Sequence, residues 1–148
     1  MNITREDKCK LIQLQKDVWE SLGELFNSIS SVDWDAATDC PGWSVKDCLS
    51  HIVGIEHRLL GRYVPEHVPS CVGHVRNDLG LRNEVDVDLR RGSKPQVILE
   101  EFFEVQSERL AIMLSQNDFS SVMNTPLGSQ SIADLISIRI FDCWVHEQ

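Results

Sequence analysis

Four polar residues stand inside otherwise apolar runs of this sequence: His51, Arg139, Asp142 and His146. Asp142 and His146 are four positions apart, so on a helix their side chains lie one above the other and can bind the same ion. His51 comes from a different segment. An imidazole aimed at a core needs a proton partner, a hydrogen-bond partner or a metal, because leaving it unsatisfied costs roughly 1–3 kcal/mol. Two imidazoles and one carboxylate would hold a divalent cation with open coordination positions and leave it a charge of about +1. Such a centre attracts a thiolate, a hydroxide or a carboxylate and lowers the pKa of the acid it binds. Arg139 shares a polar arc of roughly 60° with Asp142 and His146. It is the candidate catalytic residue, as a holder of an anion, and equally a partner for Asp142. Plainer readings stand beside the metal: the arc as the solvent-facing side of its helix, and His51 as a core histidine bonded to a backbone carbonyl. His57, His67 and His74 read as surface or loop residues.

The elements that must position these residues are helices. Pro41 and Gly42 break the chain, and Ser44 with Asp47 reads as an N-cap with an acid at the third helical position. A helix over 43–61 follows, with Cys48, Leu49, Ile52, Ile55 and Leu59 as its buried stripe and His51 inside it. Upstream, Thr4 and Asp7 form a capping box for a first long helix whose apolar series is Leu11, Leu14, Val18, Leu22, Leu25, Phe26 and Ile29. Ser93 caps a third, with Pro95 in its first turn and Ile98, Phe102, Val105, Leu110 and Ile112 on its apolar side. Thr125, Pro126 and Gly128 make a turn. Ser131 then starts a last helix, apolar around most of its circumference and with Trp144 in the core, as in a helix buried in a bundle. Residues 62–93 form a long irregular connection, and segments of this length are usually functional or mobile. Within it, 82–91 suits either a short helix capped by Asn83 or a short strand. Four long helices, no clear strand and one long connection between the second and third predict an all-α, antiparallel four-helix bundle with a crossover.

The 148 residues suffice for one domain with a substantial core and are too few to expect two, so 1–148 reads as a single metal-binding helical domain. A hydrophobic fraction of 42% and a charged fraction of 25% exclude disorder and fibrous architectures. The start, MNITREDKCK, has no apolar signal-peptide core, and no run reaches transmembrane length. That places the chain in the cytoplasm, without a membrane partner and with its five cysteines reduced. Their odd number and the lack of CxxC argue against a disulfide framework or zinc ribbon, so most read as small buried hydrophobes. A net charge of −9 opposes phosphate binding and excludes nucleic acid as a partner, while remaining compatible with a small-molecule site.

The stretch PGWSVKDCLSHIVGIE resembles the PGW-S/T-V-x-D-x-x-x-H-x-x-G-x-E signature of the mycothiol-dependent maleylpyruvate isomerase family, within the DinB-like superfamily. HVRNDLGLRNEVDVDLRRGSKPQVILEE resembles that family's central region, and RIFDCWVHEQ resembles its R-x-F-D-x-W-V-H-E-Q last helix. The likeness runs in order from Asp39 onward. It implies a DinB-like four-helix bundle in which the histidine of the PGW helix and the acid-x-x-x-His pair of the last helix bind a divalent metal. Carried over, these are His51, Asp142 and His146, the residues already singled out by spacing. A Glu stands at the place of Asp142 in the family's isomerase, so the carboxylate here reaches one methylene less far. The sequence stops at Gln148, where family members continue and commonly carry a further C-terminal domain; either a minimal member or part of a longer chain is expected.

Two functions from different classes follow. In the first, the metal binds the sulfur of a low-molecular-weight thiol such as mycothiol and keeps it as thiolate, although its free pKa is about 8.5. Zinc is the default for this ligand set, with nickel or iron tolerated. The thiolate adds to an electrophilic carbon of a small substrate; rotation and elimination then give cis–trans isomerisation, whereas a retained adduct is thiol transfer. Arg139 and the 64–83 loop would hold an anionic substrate or the thiol's polar end. In the second, the protein is a metal-binding or interaction module without turnover. A homodimer stays open under either.

Overall fold

A computed structural model describes residues 3–62 and 66–148. Among them, five helices and one antiparallel two-stranded sheet follow in the order α1 (Arg5–Ser28), α2 (Val45–Leu59), α3 (Asp78–Asp88), α4 (Pro95–Ser115), β1 (Val122–Thr125), β2 (Gly128–Ser131) and α5 (Ile132–Val145). The chain divides into two compact units, Met1–Leu25 with Leu110–Gln148, and Phe26–Arg109. No described helix is long and apolar enough to cross a membrane.

In the Phe26–Arg109 unit, Phe26 stacks on Trp34 with ring centroids 5.8 Å apart and meets Phe102 edge-on at 6.1 Å. Leu49, Ile52 and Val53 of α2, Val87 of α3 and Ile98, Phe102 and Val105 of α4 are fully buried. Helices α2 and α3 approach closely at Gly54, where an added Cβ would lie 2.3 Å from Asp86 Cβ. Only a residue without a side chain leaves that room. The approach is fastened by Arg58, whose Nη2 lies 2.9 Å from Asp86 Oδ2.

In the other unit, Thr4 and Asp7 exchange hydrogen bonds of 3.1 Å as a capping box, and Lys8 donates to the Gln116 carbonyl while lying over the Phe119 ring. Ser21 hydrogen-bonds Glu147. The hairpin pairs Val122 with Ser131 and Thr125 with Gly128, and Gly128 supplies the left-handed φ of +99° at its turn. Backbone bonds from Ile132 N–H to Ser121 and from Ala133 N–H to Phe119 tie the start of α5 to the segment before β1.

The four expected long helices are α1, α2, α4 and α5, and several details differ from expectation. The long connection holds a further helix, α3, so Val85 and Val87 are helical rather than in a strand. It starts at Asn77, whose side chain accepts the Gly80 N–H at 2.8 Å, and not at Asn83. The turn at Thr125, Pro126 and Gly128 is present, but it closes a hairpin where no strand was expected. In α4, Arg109 takes the inward place and Ile112 is exposed. The largest correction is in α5. It buries one stripe, Ala133, Ile136, Arg139 and Cys143, and leaves Phe141 63%, Trp144 51% and Val145 43% exposed. Arg139 lies on the buried stripe, Asp142 and His146 are half-buried, and the aromatics Phe141 and Trp144 are exposed. The cysteines also depart from the expected burial, since Cys48 and Cys143 are buried but Cys9 and Cys71 are exposed.

Candidate functional site

The Phe26–Arg109 unit contributes His51. Its helix begins at a turn closed by backbone bonds from Trp43 N–H to Cys40 and from Val45 N–H to Ala36. Gly42 has φ +80°, and the His74 ring fills the space a Cβ there would need. Ser44 caps α2 in the predicted capping box, with Asp47 N–H to Ser44 Oγ at 3.3 Å and Ser44 N–H to Asp47 Oδ2 at 3.0 Å. Two turns in, His51 is 2% exposed, and the Trp43 ring lies 5.0 Å away, tilted by 40°. An aromatic wall of this kind fixes an imidazole's orientation and keeps water off one side.

Behind Trp43 lies a buried acid that the sequence did not reveal. Glu84 is fully buried and accepts from Trp43 Nε1 at 2.8 Å, with His74 Nε2 at 2.8 Å and Arg91 Nη1 at 2.7 Å. Asp86, 2% exposed, is the second such acid: burial pushes its carboxyl above its ordinary value, while Arg58, Arg90 and His51 pull it back. Glu56, the acid of the HxxGxE run, is buried against Arg109 Nε at 2.9 Å. Alternating acidic and apolar residues at 84–88 were the available signal, since the three acids Glu84, Asp86 and Asp88 around Val85 and Val87 cannot all face water on a short helix.

The other unit contributes the last turn of α5. Ser131 caps the helix in a capping box with Asp134. Arg139, 3% exposed, donates to Asp142 Oδ2 and lies 3.7 Å from Cys143 Sγ. His146 Nε2 is 3.8 Å from Asp142 Oδ1. The pair therefore presents an imidazole nitrogen and a carboxylate oxygen within reach of one ion, and the guanidinium on the other oxygen fixes the carboxylate's orientation. The i, i+4 spacing placed these donors together, and the predicted Arg139–Asp142 partnership is present.

Of the remaining histidines, His67 and His74 lie in the connection between α2 and α3, as expected of loop residues, whereas His57 stands on α2; all three are half-buried beside acids. His57 pairs with Glu101 and contacts Arg62, His67 pairs with Asp88, and His74 reaches Glu84. Of the loop expected to hold an anion, Val64 and Pro65 lie outside the described residues. Arg76 in it is exposed and donates to the Gly73 carbonyl.

A family model for the mycothiol maleylpyruvate isomerase N-terminal domain matches residues 16–148. Two solved structures are similar. The mycothiol-dependent maleylpyruvate isomerase aligns with a TM-score of 0.68 at 13% identity, over 95% of this chain and 59% of that one. A histidine-to-alanine mutant of that enzyme aligns at 0.64 and 12% identity, with the same coverage. This chain thus spans 59% of the length of the structures it matches. At such identity the likeness shows the fold, a DinB-like helical one. No curated protein matches the sequence.

Proposed function

The chain belongs to the mycothiol maleylpyruvate isomerase N-terminal domain family, and from that premise we propose that His51, Asp142 and His146 hold one divalent metal in a thiol-dependent isomerase or thiol transferase. The observation that carries this is the preformed Asp142–His146 pair, 3.8 Å between donor atoms on the last turn of α5. Zinc suits two imidazoles and a carboxylate best, ahead of nickel or iron. When bound, such an ion lowers the pKa of a coordinated thiol so that the thiolate persists at neutral pH.

The chain's own residues have separable tasks. Asp142 supplies the negative charge that partly offsets the cation. Arg139 holds Asp142 Oδ2 and so leaves Oδ1 on the side of His146. Trp43 walls His51, and the buried Glu84 fixes the indole by accepting its N–H. The substrate class is a small molecule with an electrophilic carbon that a bound thiol would attack, giving either an isomer or a thiol adduct.

The test joins metal content to thiol dependence. Wild type should retain about one divalent ion per chain after reconstitution and His51→Ala should not. Turnover of an electrophile such as a cis-enedioate should need both metal and thiol. Stoichiometric metal without thiol-dependent rate supports a binding module instead. No retained metal in wild type removes the three-ligand proposal.

A further inference from the structure

We propose that Cys40 and Cys48 form a reversible thiol pair that reacts with a low-molecular-weight disulfide and closes into an internal disulfide bond. The two sulfur atoms lie within 4.8 Å of one another, and both belong to the Phe26–Arg109 unit. Cys40 sits in the turn before α2, and Cys48 ends that helix's first turn, its N–H bonded to the Ser44 carbonyl. Thr38 braces both: its Oγ1 accepts the Cys40 N–H at 3.2 Å and lies 3.7 Å from Cys48 Sγ. Closure brings the sulfurs to about 2 Å.

The two thiols are unequal in a way that orders the reaction. Cys40 is half-buried and Cys48 is 5% exposed. Cys48 is shielded from a reagent by that burial. Cys40 is therefore the one a reagent meets first. Its thiolate attacks one sulfur of RS–SR, forming Cys40–S–SR and releasing RS⁻, which picks up the proton that Cys40 gave to solvent. Cys48 then attacks the Cys40 sulfur and loses its own proton to solvent. The Cys40–SR bond breaks, the Cys40–Cys48 bond forms, and a second RS⁻ leaves and is protonated. Two electrons and two protons pass from the protein to RS–SR, giving two RSH. Because the resolving thiol is the buried one, the mixed disulfide forms at Cys40 before closure.

The exposed Cys9 and Cys71 are first removed as Cys9→Ser/Cys71→Ser, and the reduced full chain is incubated with glutathione disulfide while its intact mass is followed without reductant. The expected course is a transient gain of one glutathionyl group, then a species lighter than the reduced chain by two hydrogens. Trypsin cuts after Lys46, so its products should be two peptides joined by Cys40 and Cys48 and released by dithiothreitol. Adding Cys48→Ser should stop the course at the mixed disulfide, and adding Cys40→Ser should abolish both products. A mixed disulfide that persists with Cys48 present, a bond that maps to Cys143, or no reaction at Cys40 would overturn the proposal. The course of the chain retaining both thiols decides it, whether or not the further variants fold.

Discussion

Asp86 occupies the space that a side chain on Gly54 would need, its Cβ 2.3 Å from where a Gly54 Cβ would lie. The glycine of the HxxGxE run is thus the contact point of α2 and α3, one helical turn beyond His51. Gly54→Ala gains about 1 kcal/mol of helix propensity but forces the helices apart. The overlap is with the first side-chain atom of Asp86, which cannot swing away. A net loss of roughly 1–3 kcal/mol is expected, read as a lower midpoint in urea. An unchanged or higher midpoint would mean the helices separate freely.

The acid of the same run, Glu56, is buried with Arg109, Nε to Oε2 at 2.9 Å. Glu56→Ala strands a buried guanidinium and should cost roughly 3–5 kcal/mol. Glu56→Gln keeps an acceptor and should cost less. The double change Glu56→Leu/Arg109→Met removes both charges and should recover much of the loss, because a buried ion pair is often no better than apolar side chains of similar volume. If the double variant is as unstable as Glu56→Ala, shape rather than charge is responsible.

Asp88 makes the unit's acid stability measurable. Burial opposes its ionisation, but hydrogen bonds from His67, Ser70 and Arg91 outweigh that and hold the carboxyl well below its usual range. A depressed folded pKa stabilises above the unfolded value of about 3.9 and is lost as pH falls through the folded one. Asp88→Asn should therefore be less stable than wild type at neutral pH, with the gap closing as the solution is acidified below about pH 4. A gap independent of pH would assign the loss to hydrogen-bond geometry instead.

The helix starts at Ser44 and Ser131 were legible, the first because the cap and its acid are written within four consecutive residues, the second because an apolar run follows the turn at Thr125, Pro126 and Gly128. The hairpin was not, since the β1 residues Val122, Met123 and Asn124 are all exposed and give no period-two alternation. Buried Glu84, Asp86 and Arg109 were also hidden, because what makes their burial tolerable is a partner from a distant segment. For the site, the i, i+3 and i+4 spacings gave the Arg139–Asp142–His146 contacts directly. The rotational phase of α5 did not follow, as a helix apolar nearly all round has no single apolar face to orient it.

That phase yields its own measurement. Trp144 is 51% exposed, with its ring centroid 6.2 Å from that of the exposed Phe141. Trp144→Ala should change stability by less than about 1 kcal/mol. Ile136→Ala, at a residue 1% exposed, should cost roughly 2–5 kcal/mol. Melting temperatures of the two variants settle the phase, and the reverse order would mean α5 is rotated from this description.

Asp142 carries two roles that a pair of substitutions can part. It accepts from the buried Arg139 and faces His146, so its charge serves the guanidinium as well as any cation. Asp142→Asn keeps the size and one acceptor oxygen but removes the charge. Metal should be lost to a competing chelator at lower concentration, and the metal-free protein should also melt lower, because a charge-assisted hydrogen bond contributes about 1.5–3 kcal/mol. Asp142→Glu restores the charge one methylene further out. If the carboxylate is a ligand in a site shaped around Asp, Glu should hold metal better than Asn but less well than Asp, since ligand placement is sensitive to displacements of about 1 Å. If Asp142 serves Arg139 alone, chelator competition will be the same in all three proteins while the metal-free melting temperature still falls in Asp142→Asn. That pattern would remove Asp142 from the ligand set.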